Sequence, residues 1–447
     1  MDPIAAMWEE LVVKATAKVD KNDFMHYLPN VRVPKVASPA EDPLAAIETF
    51  ERLGPWDRTM LELEVENPKA GVVEGDQPPR KKVVLFSGND YLNLSTHPAV
   101  RQASAKASLV YGMGPRSSSM VSGHTDYHRL LEQALGDLTK KEACLITPTG
   151  FSANTALLAA LGNIASLTCA GRRPAKHEKI AISSDTLNHA SIMTPSAWQS
   201  VTKRPMHNDM KHLDELLSNC PVQKKVVFTD SLFSMEGDFA PMLELVELRK
   251  KHGFLFIIND AHMTLVCGKN GGGIVEVYGI EDQIDICVGT LSKGVGCLGG
   301  IITCSKKWKK LIQGRGRPFI FTTTSPLPVI AAAYVALTVA QKESWRRQAI
   351  WSRVQEFVAL TKYPATSPII FLVVGTEQEA LDRSKHMLES GFHVTAIRPP
   401  AVPANACRLR VTLNAAHTSE DIKRLVVALS QCIPSVKDAT GQVAAKL

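Results

Sequence analysis

The sequence predicts an α/β protein, with a large domain on a mostly parallel sheet and a smaller C-terminal α+β domain. Three observations carry this. Short, nearly continuous apolar runs recur from residue 82 to residue 304, many separated by segments of 3.6-residue apolar period. Strands without alternation belong in a sheet covered on both faces. The runs end in polar residues, where such sheets collect ligands: Asn89-Asp90, Thr149-Gly150, Asp185, Asp230, Asn259-Asp260 and Thr290.

Taken in order, residues 1–80 form an N-terminal segment rich in Pro and charge, expected to pack on the smaller domain. It holds the helical pattern "PLAAIETFERL" and ends in the polar "EGDQPPRKK". The large domain, 81–345, contains the strand-like runs "KVVLFSGND", "ACLITPT", "KIAISSD", "KKVVFTDS", "FLFIIND", "DICVGT" and "GGIITCS". Helical patterns between them include "YHRLLEQALGDLTKK" and "MLELVELRKKHG", and "SPLPVIAAAYVALTVAQKE" reads as a long Ala-rich helix. In "SVTKRPMHND", Pro205 restricts any strand to an edge or a loop. The smaller domain, 346–435, mixes "SPIIFLVVG", "GFHVTAIRPP" and "CRLRVTLN" with the helix "TSEDIKRLVVALSQC". Residues 436–447 are a tail ending in Ala445-Lys446-Leu447, a variant of the peroxisomal Ser-Lys-Leu address, so a peroxisomal or otherwise cytosolic location is expected.

Composition narrows the classes. Hydrophobic residues make up 45% and charged residues 21% of the 447, ordinary for a soluble globular protein. The net charge of +7 is spread thinly, and its densest cluster, Lys306 to Lys310, reads as a solvated helix face rather than a nucleic-acid site. Nine cysteines without metal-ligand spacing fit reduced thiols, so no metal is expected. No apolar run reaches membrane-spanning length.

The chemistry centres on "VGTLSKGVGCLGG". Lys293 follows a strand ending in Thr290 and enters a glycine-rich turn. It is either an exposed loop lysine or a Schiff-base lysine, whose backbone must approach a bulky ring closely. Thr149, Gly150 and Phe151 lie between a strand and a helix, where free N–H groups suit a phosphate. His128 opens a helix and offers either a capping group or a flat face. Ser234 adds a hydroxyl after another strand.

Together these segments resemble the α-oxoamine synthases, fold type I pyridoxal-phosphate enzymes that join an amino acid to an acyl-CoA. "SGNDYLNLSTHPAV", "HRLLE", "TGFSAN", "SDTLNHASI", "HND", "FSMEGDFAP", "GTLSKG", "FIFTTTSP" and "IRPPAVP…RLRVTL" occur in the family's order, from Phe86 to Cys432. The resemblance implies that Lys293 binds pyridoxal 5'-phosphate covalently and later moves a proton. It implies that His128 stacks on the ring, that His262 and Ser234 hold the ring and its 3′-oxygen, and that Gly150, Phe151 and Thr290 cradle the phosphate. Thr322 and Thr323 would reach across a homodimer interface. Asn89 and Arg410 would grip the amino-acid carboxylate, a role the guanidinium fork also suits. "IRPPAVP" with "RLRVTL" points to the branch that takes L-alanine and pimeloyl-CoA.

The sequence departs from this family most sharply at Asn259, three before His262, where the family has an Asp paired with the pyridine nitrogen. A neutral amide does not stabilise a pyridinium as a carboxylate does, so Asn259→Asp is expected to raise turnover. Asp260 is not expected to substitute, because adjacent strand residues face opposite sides. Met263 follows His262 where Gly or Ser is usual, Met193-Thr194 replaces Asp-Gly, and Ala401 replaces a substrate-contacting Thr. Three readings stay open: the alanine-condensing enzyme, a relative with another acyl or amino-acid pocket, and a non-catalytic partner subunit.

Overall fold

The computed structural model describes residues 2–19, 60–64, 80–168, 175, 178–193, 201–399, 401–403 and 405–436. The helical pattern at residues 43–53 and the tail 437–447 lie outside them. In chain order the elements are α1 (Pro3–Val19), β1 (Met60–Glu64), β2 (Arg80–Leu85), α2 (Pro98–Tyr111), α3 (Asp126–Leu138), β3 (Ala143–Thr147), α4 (Gly150–Thr168), β4 (Ile180–Ser184) and β5 (Val201–Lys203). There follow α5 (Met210–Ser218), β6 (Lys224–Asp230), α6 (Met242–His252), β7 (Leu255–Asn259), α7 (Ile274–Tyr278), β8 (Ile286–Thr290) and β9 (Gly300–Cys304). The last are α8 (Lys306–Arg315), α9 (Arg317–Ile320), α10 (Leu327–Lys342), α11 (Trp345–Thr361), β10 (Ile369–Gly375), α12 (Glu377–Glu389), β11 (Phe392–His393), β12 (Thr395–Ile397), β13 (Cys407–Thr412) and α13 (Ser419–Cys432). No helix among the described residues is long and apolar enough to cross a membrane.

The chain divides into two compact units. The larger contains residues 1–53, 97–233 and 239–344 and is built on a seven-stranded sheet of order β3-β9-β8-β7-β6-β4-β5. Pairings from β5 through β4, β6 and β7 to β8 are parallel, whereas β9 runs antiparallel to both β8 and β3. The short strand before Pro205 is the edge strand β5, as the proline requires. Leu145, Ile182, Phe228, Ile257, Val288 and Ile302, one from each of six strands, share a buried core with Leu157 and Ile164 of α4. Each such side chain contributes roughly 1.5–3 kcal/mol by leaving water.

Helix α1 departs from the expectation for the N-terminal segment, whereas β1 of the same segment pairs with β2 in the smaller unit. Trp8, Val12 and Ala15, spaced along one helical face, are fully buried in this same core, with Trp8 6.3 Å from the Trp308 ring. An amphipathic helix docks where an apolar surface is open to it, and here that surface is the larger unit. Ion pairs of Asp2 with Arg249 and of Glu9 with Lys307 hold its N-terminal half. The lysine cluster at 306–310 is the start of α8, with Trp308 turned into the core and Lys309 paired to Glu132 at 2.7 Å.

The smaller unit contains residues 54–96, 234–238 and 345–447. Its two three-stranded sheets have the orders β1-β2-β11 and β10-β13-β12. The run "KVVLFSGND", read as a strand of the large sheet, is β2 here. Its Val84 and Phe86 enter the smaller unit's core, and the Phe86 N–H donates to the His393 carbonyl at 3.0 Å. Asn89-Asp90 therefore belongs to this unit and not to the strand ends of the large sheet.

The 234–238 segment is held within the same unit. Arg408 donates to the Met235 carbonyl at 2.7 Å, and Ser367 Oγ to that of Gly237 at 2.8 Å. Gly237 has φ of +72°, and a Cβ there would lie 2.5 Å from the Ile369 carbonyl oxygen. Gly237→Ala is expected to cost about 2–4 kcal/mol from combined strain and overlap. At Gly253, where φ is +65° and nothing lies within 4 Å, the same change should cost only about 1–2 kcal/mol. Urea denaturation midpoints of the two variants check the difference.

Candidate active site

Strands β6, β7 and β8 end in Asp230, Asn259 and Thr290, with Asp230 directly opposite Asn259 in the ladder. The turn after β7 buries His262, and the loop after β8 carries Lys293. Lys293 Nζ lies 2.7 Å from His262 Nε2. This approach needs a glycine: a Cβ on Gly294 would fall 2.6 Å from the Thr264 carbonyl oxygen, so any side chain would pry the two loops apart.

Helix α4 begins at Gly150, beside the end of β8. A Cβ on Gly150 would touch Thr290 at 3.1 Å. The N–H groups of Gly150 and Phe151 have no acceptor inside the helix, so this end favours an anion. Thr149 Oγ1 caps it by accepting from the Ser152 N–H at 3.0 Å. Thr290 Oγ1 donates to the Gly299 carbonyl at 2.8 Å and accepts from the Ser292 N–H at 3.2 Å. Thr290 thus shapes the lysine loop, and the exposed Ser292, 2.8 Å from its hydroxyl, extends the polar rim.

Asn259 Nδ2 donates to Asp230 Oδ1 at 2.7 Å, and the His189 N–H donates to Asp230 Oδ2 at 2.8 Å. Burial pushes the Asp230 carboxyl up to about 6, against the pull of these donors and of the Lys293 charge. Asp260 turns away, as strand alternation demands. Its Oδ1 accepts from Ser231 Oγ at 2.5 Å, and burial raises it to about 7. Met263 is fully buried and presents no surface to a ligand. Asp230 and His189 were noted in the sequence only as a strand end and as part of "SDTLNHASI". Sequential strands are usually neighbours, so counting from the ends of "KKVVFTDS" and "FLFIIND" would have paired Asp230 with Asn259.

His128 lies in the first turn of α3 and is almost wholly buried. Its Nδ1 accepts from the Thr125 N–H at 3.3 Å, so Nε2 carries the proton and donates to the Ser325 carbonyl at 3.2 Å. The ring is therefore a capping group as well as a flat face, and it lines a cavity of about 80 Å³ with Tyr111, Arg116 and Leu327. Thr324 Oγ1 lies 3.2 Å from the same Nε2. Thr322 and Thr323, two and one residues earlier, are half-buried and exposed.

The smaller unit holds the remaining candidates. Arg410 Nη2 donates to Asn89 Oδ1 at 3.0 Å, and Nε to the Ser234 carbonyl at 3.4 Å. Tyr91 stands beside this guanidinium, its phenol pushed up to about 12 by burial. Ala401 is exposed in the turn after β12.

Burial lowers the His128 imidazole to about 4. Between the ordinary value of about 6.5 and this one, the unfolded chain binds a proton that the folded chain refuses. The contribution of His128 to stability is therefore present above that window and falls as pH drops through it. Imidazole nitrogen NMR should show a neutral Nε2–H ring from about pH 8 to about pH 5. Titration of this ring near neutrality would contradict the assignment.

The chain matches the family model described as aminotransferase class I and II over residues 81–429. It is 54% identical over 416 residues to 8-amino-7-oxononanoate synthase of Arabidopsis thaliana, covering 88% of this chain and 87% of the relative. The protein of the same name from Anaeromyxobacter dehalogenans is 36% identical over 384 residues, covering 84% and 92%. Among solved structures, a serine palmitoyltransferase from S. paucimobilis with a bound pyridoxal phosphate–myriocin adduct superposes with TM-score 0.72 at 27% identity, covering 89% of this chain and 100% of that one. A lysine at the end of β8 and a helix N-terminus beside it are what such a cofactor needs, and the sequence agreement runs through both. The chain belongs to the 8-amino-7-oxononanoate synthase family, pyridoxal-phosphate-dependent acyltransferases of fold type I.

Proposed function

We propose that this protein condenses L-alanine with pimeloyl-CoA, releasing CoA and CO₂ and forming 8-amino-7-oxononanoate. The observation that carries the reading is the pair of Lys293 and His262, 2.7 Å apart at the strand ends. The donor set suits pyridoxal phosphate. The N-terminus of α4 would take its phosphate, Lys293 its aldehyde carbon, His262 its ring and Asn259 its ring nitrogen. When bound, that cofactor supplies the electron sink for a carbanion at the amino acid Cα.

The chain's own groups do the rest. Arg410, oriented by Asn89, receives the alanine carboxylate. Lys293 Nζ would remove the Cα proton of the bound alanine, and His262, 2.7 Å from it, would fix its direction of approach. Burial holds the His128 imidazole below its ordinary range, so it would offer an uncharged ring to the bound cofactor.

Purified protein with cofactor, L-alanine and pimeloyl-CoA should release CoA. Lys293→Ala should abolish covalent cofactor attachment and reduce turnover at least about 10³-fold. Arg410→Ala should raise the KM for alanine about ten- to hundredfold, the loss of one charge-assisted contact. Glycine, serine and shorter acyl-CoA donors run in parallel would expose a different pocket. Failure of the native chain to attach cofactor would favour a partner-subunit role.

The same reading makes the chain a homodimer, with Thr322 and Thr323 reaching the partner's cofactor phosphate. In its support, Phe151, Leu298 and Phe321 expose 49%, 50% and 68% of their surfaces, on the helix N-terminus, the lysine loop and the segment before α10. Sedimentation should give twice the chain mass, and Phe321→Glu should shift the protein toward monomer with loss of CoA release.

A further inference from the structure

We propose that Asp230 is a positioning residue that acts through Asn259, holding the amide so that its carbonyl oxygen, not its N–H, faces the ring nitrogen of the bound cofactor. This rests on the reading above, in which Lys293 carries pyridoxal phosphate and Asn259 sits at the ring nitrogen. A primary amide has two faces with opposite consequences. Its N–H groups would hold a pyridine nitrogen unprotonated, whereas its oxygen selects the protonated ring. Sequence alone leaves the choice open.

The neighbouring strand makes the choice. Asn259 Nδ2 donates to Asp230 Oδ1 at 2.7 Å, and both residues are buried. An ionised carboxylate only accepts, so flipping the amide would set two acceptor oxygens against each other at that distance. Asp230 is itself fixed. The His189 N–H occupies Oδ2 at 2.8 Å, and the Asp230 N–H donates to Asn188 Oδ1, also at 2.8 Å. Asn188 in turn donates to the Phe228 carbonyl at 2.8 Å and to Ser184 Oγ at 2.9 Å. The chain of donors admits one orientation at each step. Burial lifts Asp230 to about 6, which leaves it ionised at pH 8.

The negative charge that relatives would place at position 259 therefore stands one residue away, on β6, and reaches the ring through a polarised amide. This revises the expectation that Asn259→Asp raises turnover. A second carboxylate 2.7 Å from Asp230 forces the pair to share a proton, leaving one net charge as before.

The test is the ring-nitrogen NMR shift of ¹⁵N-labelled pyridoxal phosphate reconstituted into the holoenzyme at pH 8. The ring is expected to be protonated in the native protein and in the exchange variant Asp230→Asn/Asn259→Asp, and unprotonated in Asp230→Asn. Cofactor binding to Asp230→Asn should weaken about tenfold. Should that variant not fold, Asn259→Leu, which keeps Asp230 but removes the amide, should also lose the protonated signal. An unprotonated ring in the native protein, or a protonated one in Asp230→Asn or Asn259→Leu, overturns the proposal alone. Absence of label at Lys293 in the native protein overturns the reading beneath it as well.

Discussion

The site depends on the register of β6 and β7. Parallel pairing sets Asp230 opposite Asn259, and strand alternation turns Asn259 to one face and Asp260 to the other. A slip of one residue would put either the Asp260 carboxylate or the Ile258 side chain where the amide belongs, and would leave Ser231 facing Ala261 or Asn259 in place of its carboxylate acceptor. The polar pairings at the strand end oppose this, Asn259 to Asp230 and Ser231 to Asp260, because the preceding run Leu255 to Ile258 is apolar and fully buried on both faces and does not distinguish one register from the next.

Two buried carboxylates stand at the end of this strand pair, and the structure treats them differently. Asp260 is embedded in a structural turn, with Ser231, Thr264 and the Ile274 backbone N–H around it. Asp230 is equally buried but close enough to feel the Lys293 charge. Leaving a carboxylate in an apolar surrounding is costly unless donors meet it, and each of these has its own set. His262 and Lys293, 2.7 Å apart, complete the polar cluster at these strand ends.

The parallel sheet, its polar strand ends and the lysine loop were legible in the sequence because each rests on a local pattern: unbroken apolar runs, glycines around a lysine, a small-residue helix start. The division into units was not. "KVVLFSGND" reads like any other buried strand, and nothing local distinguishes one that pairs with Phe392 from one that joins the large sheet. The docking of α1 was equally hidden, since its apolar stripe states that it packs but not on what. Asn259 was recognised as unusual from its own identity. Its partner was not, because hydrogen bonds between strands are set by sheet order, which residue patterns constrain only weakly.

The smaller unit is assembled from three separated stretches of chain, and that has a bearing on synthesis. Arg410 and Asn89 hydrogen-bond across 321 residues of sequence, and β2 finds its partner β11 only after nearly four hundred residues have been made. Loop closure over such spans is slow and is completed late. While the ribosome is still extending the chain, Lys293 and His262 can already lie in a continuous stretch of finished sequence, but the guanidinium that would receive a carboxylate does not yet exist. A nascent chain thus acquires the groups proposed to hold a cofactor before it acquires the guanidinium proposed to grip an amino acid.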